Sequence, residues 1–315
     1  MKQESEHCRL SVITINYNGM KDTCELLETL PLDDPEVEVI VVDNASAEDE
    51  ATAIGQRFPQ VTIVRSDRNL GFAGGNNLGI KAAHGRYLLF INNDTLIKGE
   101  RKMTDLQPLI DRLERSPQTG MVCPKIRFSW DDCPIQFAGY TPLSPVTMRN
   151  SSIGFGEADH GQYDTPHPTP YAHGAAMMVK REAIERAGLM PECYFLYYEE
   201  LDWSVMIRRA GYDIWYEPAC TVYHKESRTT GRQSARRTYY ITRNRLLFVR
   251  RNGSGAKRLL SYAYLTGVVA VKDVMKYLLT GRFGHVKATL RGIGHFIKSS
   301  PPPTPPIGRG DRKGM

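Results

Sequence analysis

The feature that most constrains the fold is residues 86–95, RYLLFINNDT, where an apolar run ends abruptly in polar residues. The apolar run predicts a short buried strand of a parallel sheet, and Asn92, Asn93 and Asp94 follow at its carboxyl end. In open α/β sheets, ligands bind outside the carboxyl ends of the strands. The sequence therefore predicts that Asp94 lies in a ligand site, where its carboxylate could bind a metal ion.

Other segments of the chain repeat this pattern and predict an α/β fold. Strands are predicted at residues 10–15, 37–42, 61–64, 120–127, 213–216 and 219–223. Helices are predicted at residues 20–30, 100–115 and 199–210, and others end near 58 and 83 or begin near 181. Because strands and helices alternate, we expect βαβ units and a mostly parallel sheet. Residues 141–170 are rich in Pro, Gly, Ser and Asp and predict a long functional or disordered loop.

Chain length, cysteine content and the N-terminus limit the possible number of domains and the cellular compartment. A chain of 315 residues can form one large domain or one domain with an appendage. Its six cysteines include no CxxC pair, which is typical of the reduced thiols of a cytosolic protein. The N-terminus, MKQESEHCRL, is charged and lacks the apolar segment of a secretory signal. We therefore expect a cytoplasmic protein.

Charge divides the chain into two parts. From Glu226 to the end there are 19 Lys and Arg and 3 acidic residues, whereas residues 1–225 contain 22 Lys and Arg and 32 acidic residues. The predicted domains are an α/β domain at 1–225, a basic and aromatic helical extension at 226–298, and a disordered Pro-rich tail at 299–315.

The basic extension predicts helices that lie on a membrane surface and do not cross it. Its apolar run, Leu259 to Val271, is 13 residues long and is followed by Lys272 and Asp273, so it is too short for a span. Basic residues interleaved with Tyr, Phe and Leu favour an anionic membrane over nucleic acid. Six arginines are candidates for phosphate contacts: Arg236, Arg237, Arg243, Arg245, Arg250 and Arg251. A solvated basic helix face is the alternative.

Polar residues at strand ends are candidates for chemistry, each with a structural alternative. Asp43 and Asp94 each follow an apolar strand and could bind a base, a ribose or a metal, or could cap the next helix. The Gly- and Asn-rich loop at 68–79 could approach a phosphate or simply start a helix. His224 could be a metal ligand or an ordinary buried histidine.

Three carboxylates in one helical turn form a further candidate site. Glu199, Glu200 and Asp202 follow the aromatic run at 194–198. Crowding beside an apolar wall would raise the pKa of at least one carboxyl group, which suits a general base. A charged helix N-terminus, favoured by the helix dipole, is the alternative.

Taken together, these segments resemble the family 2 glycosyltransferases with the GT-A fold, and most of all the rhamnosyltransferase-like branch of bacterial cell-surface polysaccharide synthesis. The motifs occur in the family's order over about residues 10–225: TINYNG (14–19), VVDNAS (41–46), NLGFAGGNN (69–77), LLFINNDT (88–95), HGAAMMVKR (173–181), YYEELDWSVMIRRAGY (197–212) and His224. The resemblance implies a Rossmann-like, mostly parallel central sheet with flanking helices, followed here by the basic helical extension.

The resemblance also implies roles for individual residues. The residues implied to contact the donor nucleotide are Asn16, Asn18, Asp43, Arg68, Asn69, Asn76, Asn92 and Asn93. The resemblance implies contacts with the donor sugar or acceptor for His173, Gly174 and Trp203, and packing in the core is the alternative for Trp203. The metal, Mg²⁺ or Mn²⁺, falls on Asp94 and His224, although the family's DXD motif reads Asn-Asn-Asp here. Glu200 matches the catalytic base, usually an Asp, with Glu199 and Asp202 as alternatives.

The implied activity is transfer of a sugar, with inversion, from a nucleotide-sugar to a glycan or polyprenyl-diphosphate-linked acceptor. dTDP-rhamnose is the first candidate donor, followed by UDP-hexoses. The expected location is the inner face of the cell membrane, and the sequence leaves open whether the protein is a homodimer. A nucleotidyltransferase and a non-catalytic membrane-binding scaffold are alternatives, but the turn at 16–19 lacks the Gly-rich basic loop expected of a nucleotidyltransferase.

Overall fold

A computed structural model of the chain describes residues 8–226 and 234–299. Within these ranges, a mixed sheet of ten strands forms the centre of the fold. The strands are β1 (Leu10–Asn16), β2 (Val37–Asp43), β3 (Thr62–Arg65), β4 (Tyr87–Ile91), β5 (Thr95–Ile97), β6 (Thr119–Phe128), β7 (Ile135–Phe137), β8 (His167–Pro168), β9 (Ala176–Lys180) and β10 (Asp213–His224).

The strand order brings the polar ends of several strands to one edge of the sheet. The order is β3-β2-β1-β4-β9-β6-β10-β5, with β7 beside β6 and β8 beside β10. Strands β1 to β4 pair in parallel, as do β6 and β10, whereas β5, β7, β8 and β9 run antiparallel to their neighbours. In the register of β1 and β2, Asn16 lies beside Asp43. The predicted α/β sheet is therefore present, with antiparallel strands inserted in its second half.

Helices cover both faces of the sheet. They are α1 (Met20–Leu27), α2 (Glu50–Arg57), α3 (Gly71–Ala82), α4 (Gln107–Glu114), α5 (Arg181–Ala187) and α6 (Glu199–Arg209). Side chains of α3, α5 and α6 pack on one face, and those of α1, α2 and α4 pack on the other. Strand β4 supplies Leu88 and Phe90 to the first layer and Leu89 to the second, because side chains alternate along a strand. Burial on both faces explains its unbroken apolar run.

Several elements differ from the predicted ones: the short strands β5, β7 and β8 were not predicted, and three further differences concern longer elements. Strand β9, which was not predicted, is buried and lies antiparallel between β4 and β6; its Lys180 leads directly into α5, so no turn signal marks its end. The two strands predicted at 213–223 form one strand, β10, with a register irregularity between Glu217 and Thr221. The helix predicted at 100–115 begins only at Gln107, after a short 3₁₀ turn.

Four helices follow the sheet: α7 (Ala235–Asn252), α8 (Gly255–Ala263), α9 (Ala270–Leu279) and α10 (Phe283–Lys298), with a π-helical segment, Tyr264–Val269, between α8 and α9. Helix α7 buries its 246–249 segment against Tyr194 and Tyr198 of the loop before α6. The boundary predicted near 226 therefore precedes a helix that shares an apolar core with the sheet domain.

The segment from α8 to α10 leaves many apolar side chains exposed. They are Leu259, Leu260, Val268, Val271, Met275, Leu278, Leu279, Phe283, Leu290 and Ile297. Residues 234–299 also contain 14 Lys and Arg against one acidic residue, Asp273. None of the helices in the described residues combines the length and apolar character needed to span a bilayer. All six cysteines are free, and the predicted disordered tail lies, apart from Ser299, outside the described residues.

Candidate active site

The carboxyl ends of β1 and β2 form a polar corner around Asn16. Asn16 is fully buried, and its amide donates to Asp43 Oδ1 (3.0 Å) and Glu50 Oε2 (2.7 Å). Asn16 Oδ1 accepts from Thr23 Oγ1 (2.7 Å), and Ser46 Oγ donates to Asp43 Oδ1 (2.6 Å). The Asn16 side chain is thus engaged by protein partners, and its effect on a nucleotide would pass through the position of Asp43.

The other predicted nucleotide residues surround this corner in different environments. Asn18 and Arg68 are exposed, and Asn18 Oδ1 accepts a backbone N–H from the loop after β2 (2.7 Å). Asn69 Oδ1 accepts from Gly71 N (2.8 Å) and so helps to start α3. Asn76 is buried on α3, and its Nδ2 has no hydrogen-bond partner among residues 8–226 and 234–299. Asn76 is therefore the member of the set with an unused buried donor.

Three residues of this corner were not predicted: Asn44, Ser46 and Glu50. Asn44 Oδ1 accepts from Leu70 N (2.9 Å), and its Nδ2 donates to Asn69 Oδ1 (3.2 Å), so it ties the loop after β2 to the loop before α3. The sequence signal for Asn44 and Ser46 was their place directly after a strand. Glu50, in the first turn of α2, had no such signal.

The turn after β4 places Asn92, Asn93 and Asp94 beside this corner. Asn93 Nδ2 donates to Thr23 Oγ1 (3.0 Å), and the Asn92 carbonyl accepts from Thr95 Oγ1 (2.6 Å). The Asn92 N–H donates to the Ala175 carbonyl (2.9 Å). These bonds fix the turn and hold Asp94 at its end.

Asp94 and His224 come together although they are 130 positions apart in the chain. Strand β5, just after Asp94, pairs with the end of β10 and so brings His224 Nε2 to 3.1 Å from Asp94 Oδ1. The other ring nitrogen, Nδ1, donates to Gln136 Oε1 (2.8 Å). Burial would raise the pKa of Asp94, but the hydrogen bond and charge of His224, with the charge of Lys225, lower that pKa overall.

This pair fits a divalent cation as part of a larger ligand set. A carboxylate oxygen and an imidazole nitrogen suit Mn²⁺, and Gln136 fixes the orientation of the ring, as hydrogen-bonded partners of metal ligands usually do. In the described part of the chain, no three His, Cys, Asp or Glu side chains lie close enough to hold an ion by themselves. Water or phosphate oxygens would have to complete the set, as is common where Mg²⁺ binds substrate phosphates.

His173 and Gly174 lie between this pair and the carboxylates of α6. The rings of His173 and His224 are 6.5 Å apart, and His173 Nδ1 accepts a backbone N–H (3.1 Å), so its Nε2 carries the hydrogen. Burial, followed by the charge of His224, lowers the pKa of His173 to about 3, so the ring is neutral. A Cβ at Gly174 would lie 3.7 Å from Glu200 Cγ, which shows how closely this backbone approaches Glu200.

Glu199 and Glu200 begin α6 in different environments. Glu200 is partly exposed, and burial raises its pKa from 4.5 to about 7. Glu199 is 3% exposed, and its Oε2 has no hydrogen-bond partner among the described residues. Burial, followed by the charge of Glu200, raises the pKa of Glu199 well above its usual range. Near neutral pH, Glu200 is therefore the carboxyl group that can accept a proton.

Two predicted residues of α6 face the core, and the structure corrects both predictions. Asp202 is fully buried and accepts from Tyr194 Oη (3.1 Å), Asn252 Nδ2 (2.7 Å) and the Arg251 guanidinium, so it does not fit the alternative role of base. Trp203 is also fully buried, and its indole N–H donates to a backbone carbonyl (2.9 Å). Its ring has no exposed face on which an acceptor sugar could rest.

Two curated relatives match nearly their whole length and most of this chain. The low-salt glycan biosynthesis hexosyltransferase Agl10 of Haloferax volcanii is 25% identical over 295 residues, which is 92% of this chain and 91% of the relative. The N-acetylglucosaminyl-diphospho-decaprenol L-rhamnosyltransferase of Mycobacterium tuberculosis is 24% identical over 285 residues, which is 84% of this chain and 91% of the relative.

Solved structures with low sequence identity share the fold. The mannosyltransferase of Pyrobaculum calidifontis in complex with GDP-Man and Mn²⁺ aligns with a TM-score of 0.55 at 18% identity, covering 94% of this chain and 77% of that one. GalNAc-T7 with UDP, GalNAc and Mn²⁺ aligns with a TM-score of 0.57 at 14% identity, covering 81% of this chain, which spans about half (54%) of that longer protein. The predicted GT-A fold with C-terminal helices is confirmed.

The family model described as Glycosyl transferase family 2 matches residues 11–188, more than half of the chain. This match covers β1 to β9 and α1 to α5, and therefore the polar corner, Asp94, His173 and Gly174. The predicted enzyme class is confirmed by the same match and by the hexosyltransferase and rhamnosyltransferase relatives. The chain belongs to glycosyl transferase family 2 and is a glycosyltransferase.

Proposed function

We propose that this enzyme transfers a sugar, with inversion at the anomeric carbon, from a nucleoside-diphosphate sugar to a hydroxyl group of a glycan or lipid-linked glycan, and that it depends on a divalent metal. The observation that carries the proposal is Glu200, a partly exposed carboxyl group with a pKa of about 7 that lies against Gly174. His173 connects this position to the Asp94–His224 pair. An inverting displacement needs a base and a site for the leaving diphosphate in such proximity.

The polar corner is the proposed nucleotide site. Asp43 offers a carboxylate to the base or ribose, and Asn16 holds it in place. Exposed Asn18 and Arg68 could contact the nucleotide directly. We propose dTDP-rhamnose as the first candidate donor and UDP-hexoses as the next; similarity to proteins named rhamnosyltransferase and hexosyltransferase supports both as candidates.

In the proposed reaction, ionised Glu200 takes the proton of the acceptor hydroxyl as its oxygen bonds to the anomeric carbon, and the bond to the diphosphate breaks on the opposite face. Asp94 and His224 would hold Mg²⁺ or Mn²⁺, which when bound neutralises the charge that develops on the leaving diphosphate. Gly174, without a side chain, leaves room for a sugar beside the base. His173 could donate to that sugar through Nε2–H.

The segment from α8 to α10 supports an acceptor held at a membrane. Exposed apolar side chains among basic residues suit an anionic bilayer surface. The mycobacterial relative is named for a diphospho-decaprenol acceptor, and we propose a polyprenyl-diphosphate-linked acceptor for this enzyme too. The protein would then lie on the inner face of the cell membrane.

The six arginines predicted to meet phosphate divide into two groups. Four of them donate hydrogen bonds within the protein: Arg243, Arg245, Arg250 and Arg251. Arg236 and Arg237, in contrast, line clefts at the surface of α7. The cleft at Arg236 lies between α7 and α10 and also contains Lys287, Arg291 and His295. We propose this cleft, in place of the full arginine set, for phosphate groups of the acceptor lipid.

A screen for donor hydrolysis tests the proposed function. The full chain is incubated with dTDP-rhamnose, UDP-glucose, UDP-galactose or GDP-mannose, each with Mn²⁺, Mg²⁺ or EDTA, and nucleoside diphosphate release is measured. We expect one donor to be hydrolysed with metal and not with EDTA. Asp94→Ala should lose this activity, whereas Asp132→Ala, which removes an exposed carboxylate, should keep it. Hydrolysis of none of the donors, or full activity in Asp94→Ala, would contradict the proposal.

A further inference from the structure

The loop that leads into the candidate base has an unusual backbone. Phe195, Tyr197 and Tyr198 adopt positive φ angles of 69°, 69° and 80°, in the left-handed region. Aromatic residues carry a Cβ that clashes in this region, so each of these conformations costs free energy. The loop ends at Glu199 and Glu200, so its conformation sets where α6 begins. Such a loop persists only when its surroundings hold it in place.

The same loop also contacts the start of α3, beside the polar corner. The Phe195 carbonyl accepts from Phe72 N (2.8 Å), and a Cβ at Gly71 would lie 2.1 Å from the Phe195 oxygen. Gly71 itself has a φ of +73°, so glycine is required there on two grounds. The Phe195 end of the loop is therefore anchored on α3, whereas Tyr197 and Tyr198 lead to the base side of the cleft.

A buried amide of helix α7 makes the central contacts with this loop. Asn244 is fully buried, and its Nδ2 lies 2.7 Å from the Leu196 carbonyl, 2.8 Å from the Tyr197 carbonyl and 3.1 Å from the Tyr194 carbonyl. Arg243 Nε donates to Asn244 Oδ1 (2.8 Å), which fixes the orientation of the amide. The three carbonyls belong to residues 194–197, which include the positive-φ residues Phe195 and Tyr197 and directly precede Tyr198. Arg243 also donates to the Tyr194 carbonyl and Arg245 to the Tyr198 hydroxyl, but among the side chains of the described residues Asn244 alone bonds the carbonyls of Leu196 and Tyr197 in the strained part of the loop.

We propose that Asn244 is a positioning residue for sugar transfer: its amide holds the 194–198 loop, and through it the Glu200 carboxylate, in the reactive arrangement. The inference rests on the proposed role of Glu200. Asn244 touches no reacting group; it acts by limiting the positions open to the loop. Small displacements of a reacting group are costly in rate, whereas binding of a ligand by other residues is less affected.

Three variants of the full chain test this role. Asn244→Leu keeps the approximate shape and removes both donors, and Asn244→Ser keeps one shorter donor. Asn77→Leu is the matched control, because Asn77 is also a buried Asn whose Nδ2 bonds neighbouring groups: the Met190 carbonyl (2.9 Å) and Glu192 Oε1 (2.8 Å). These partners precede the positive-φ residues, to whose carbonyls Asn77 does not hydrogen-bond. Amide hydrogen exchange needs no substrate. We expect exchange at residues 194–199 to rise about 10-fold or more in Asn244→Leu and to stay unchanged in Asn77→Leu.

Kinetics distinguish positioning from mere stability. With whichever of dTDP-rhamnose or UDP-glucose is turned over, we expect kcat of Asn244→Leu to fall about 100-fold with KM for the donor within about threefold, and Asn244→Ser to recover part of the loss. Asn77→Leu should lower the Tm and keep kcat within about twofold. An unchanged kcat in folded Asn244→Leu and Asn244→Ser, or an equal kcat loss in Asn77→Leu, would overturn the inference. Glu200→Gln is assayed in parallel. If this variant stays active, the proposed base is wrong. If it is inactive while the Asn244 variants are fully active, the role of Asn244 is wrong and the proposed base stands.

Discussion

The sheet domain, residues 8–226, and the α8–α10 segment, residues 255–298, distribute apolar and charged groups in opposite ways. In the sheet domain both faces of the strands are buried, and even carboxyl groups such as Glu199 are removed from water. In the α8–α10 segment, Leu279 (83% exposed) and Phe283 (66% exposed) face outward among basic residues. The first arrangement suits chemistry on a small polar ligand, and the second suits a broad apolar and anionic surface.

This difference teaches that the proposed donor chemistry and the proposed membrane attachment are separable in principle. The carboxylates and histidines of the proposed site all come from the sheet domain, whereas the exposed apolar side chains come mainly from the α8–α10 segment. Changes in one region should therefore leave the function of the other measurable. Helix α7 belongs with the sheet domain in this respect, because it packs on the loop before α6.

Replacement of the proposed base should separate the two regions most strongly. Glu200→Gln keeps the size of the side chain and removes the proton acceptor, so we expect kcat to fall about 10³-fold with binding to anionic vesicles unchanged. Initial rates and vesicle sedimentation measure the two effects. Glu199→Gln is the control and should keep most activity, since burial, followed by the charge of Glu200, raises the pKa of Glu199 and so favours the protonated form that Gln resembles. Wild-type turnover in Glu200→Gln would remove this residue as the base.

The activity of the sheet domain should also depend on pH through Glu200. Burial raises the pKa of this carboxyl group to about 7, and a base must be ionised, so kcat should fall as the pH drops below that value. Between pH 8 and pH 5 we expect a loss of about 100-fold, with vesicle binding retained. Rates measured across this range, with the residual rate of Glu200→Gln as the pH-insensitive control, check the expectation. A flat wild-type profile would argue against Glu200.

The same pKa shift predicts an opposite effect on stability. The pKa of Glu200 is about 7 in the folded protein against an ordinary value of 4.5, so the folded state holds this proton more tightly than the unfolded chain. The stability that this tighter proton binding contributes is fully present below the pKa of the unfolded chain, 4.5, and is lost as the pH rises through the pKa of the folded protein, about 7. Glu200→Gln should therefore melt at a higher temperature than the wild type at pH 8 and at a similar temperature at pH 4. Calorimetry that finds a lower Tm for the variant at pH 8 would oppose this account.

Loss of Asn16 should weaken the sheet domain without affecting the α8–α10 segment. Asn16→Ala leaves Asp43, Glu50 and Thr23 with fewer buried hydrogen bonds, and we expect it to lower the free energy of unfolding by about 2 kcal/mol. Asn93→Ala, which removes a bond to Thr23, is a milder control, with an expected loss of about 1 kcal/mol. Urea denaturation measures both. Equal losses would show that Asn16 is not the centre of the corner.

The smallest expected effect concerns the membrane surface alone. Phe283→Glu replaces an exposed apolar side chain with a charge that anionic lipids repel, and we expect about 10-fold weaker binding to phosphatidylglycerol vesicles with donor hydrolysis unchanged. Phe155→Glu alters a similarly exposed Phe (59%) in the sheet domain and should leave vesicle binding as it is. If both variants bind like the wild type, the α8–α10 segment is not the membrane contact.

The sequence predicted the polar ends of β1, β2 and β4 because each apolar run stops at Asn or Asp. It also predicted the Asp94–His224 pairing through family resemblance, although only the antiparallel pairing of β5 with β10 shows how the two meet. Strand β9 was not predicted from the sequence because it is short, buried and continuous with α5. The periodicity of apolar residues and the spacing of turn residues identify such a strand poorly when no turn follows it.

The errors on α6 have a tertiary cause. Trp203 and Asp202 are next to the carboxyl cluster in the sequence, but the helix turns both toward the core. The burial of Asp202 is compensated by the charge of Arg251, on α7, together with hydrogen bonds from Tyr194 and Asn252. Local sequence gives no sign of Arg251 as a partner, since 49 positions separate it from Asp202. For the same reason, four of the six arginines assigned to lipid phosphates turned out to hold the protein together.

The hold of α7 on the 194–198 loop has a consequence for how members of this family diverge. The amide at position 244 compensates for left-handed backbone at positions 195, 197 and 198, so these sites should covary. We expect chains with glycine at the loop positions to tolerate loss of the amide, and chains with bulky residues there to keep it. A chimera that exchanges C-terminal helices between relatives would therefore have to join them after Asn252, so that α7 and the loop are inherited as one unit.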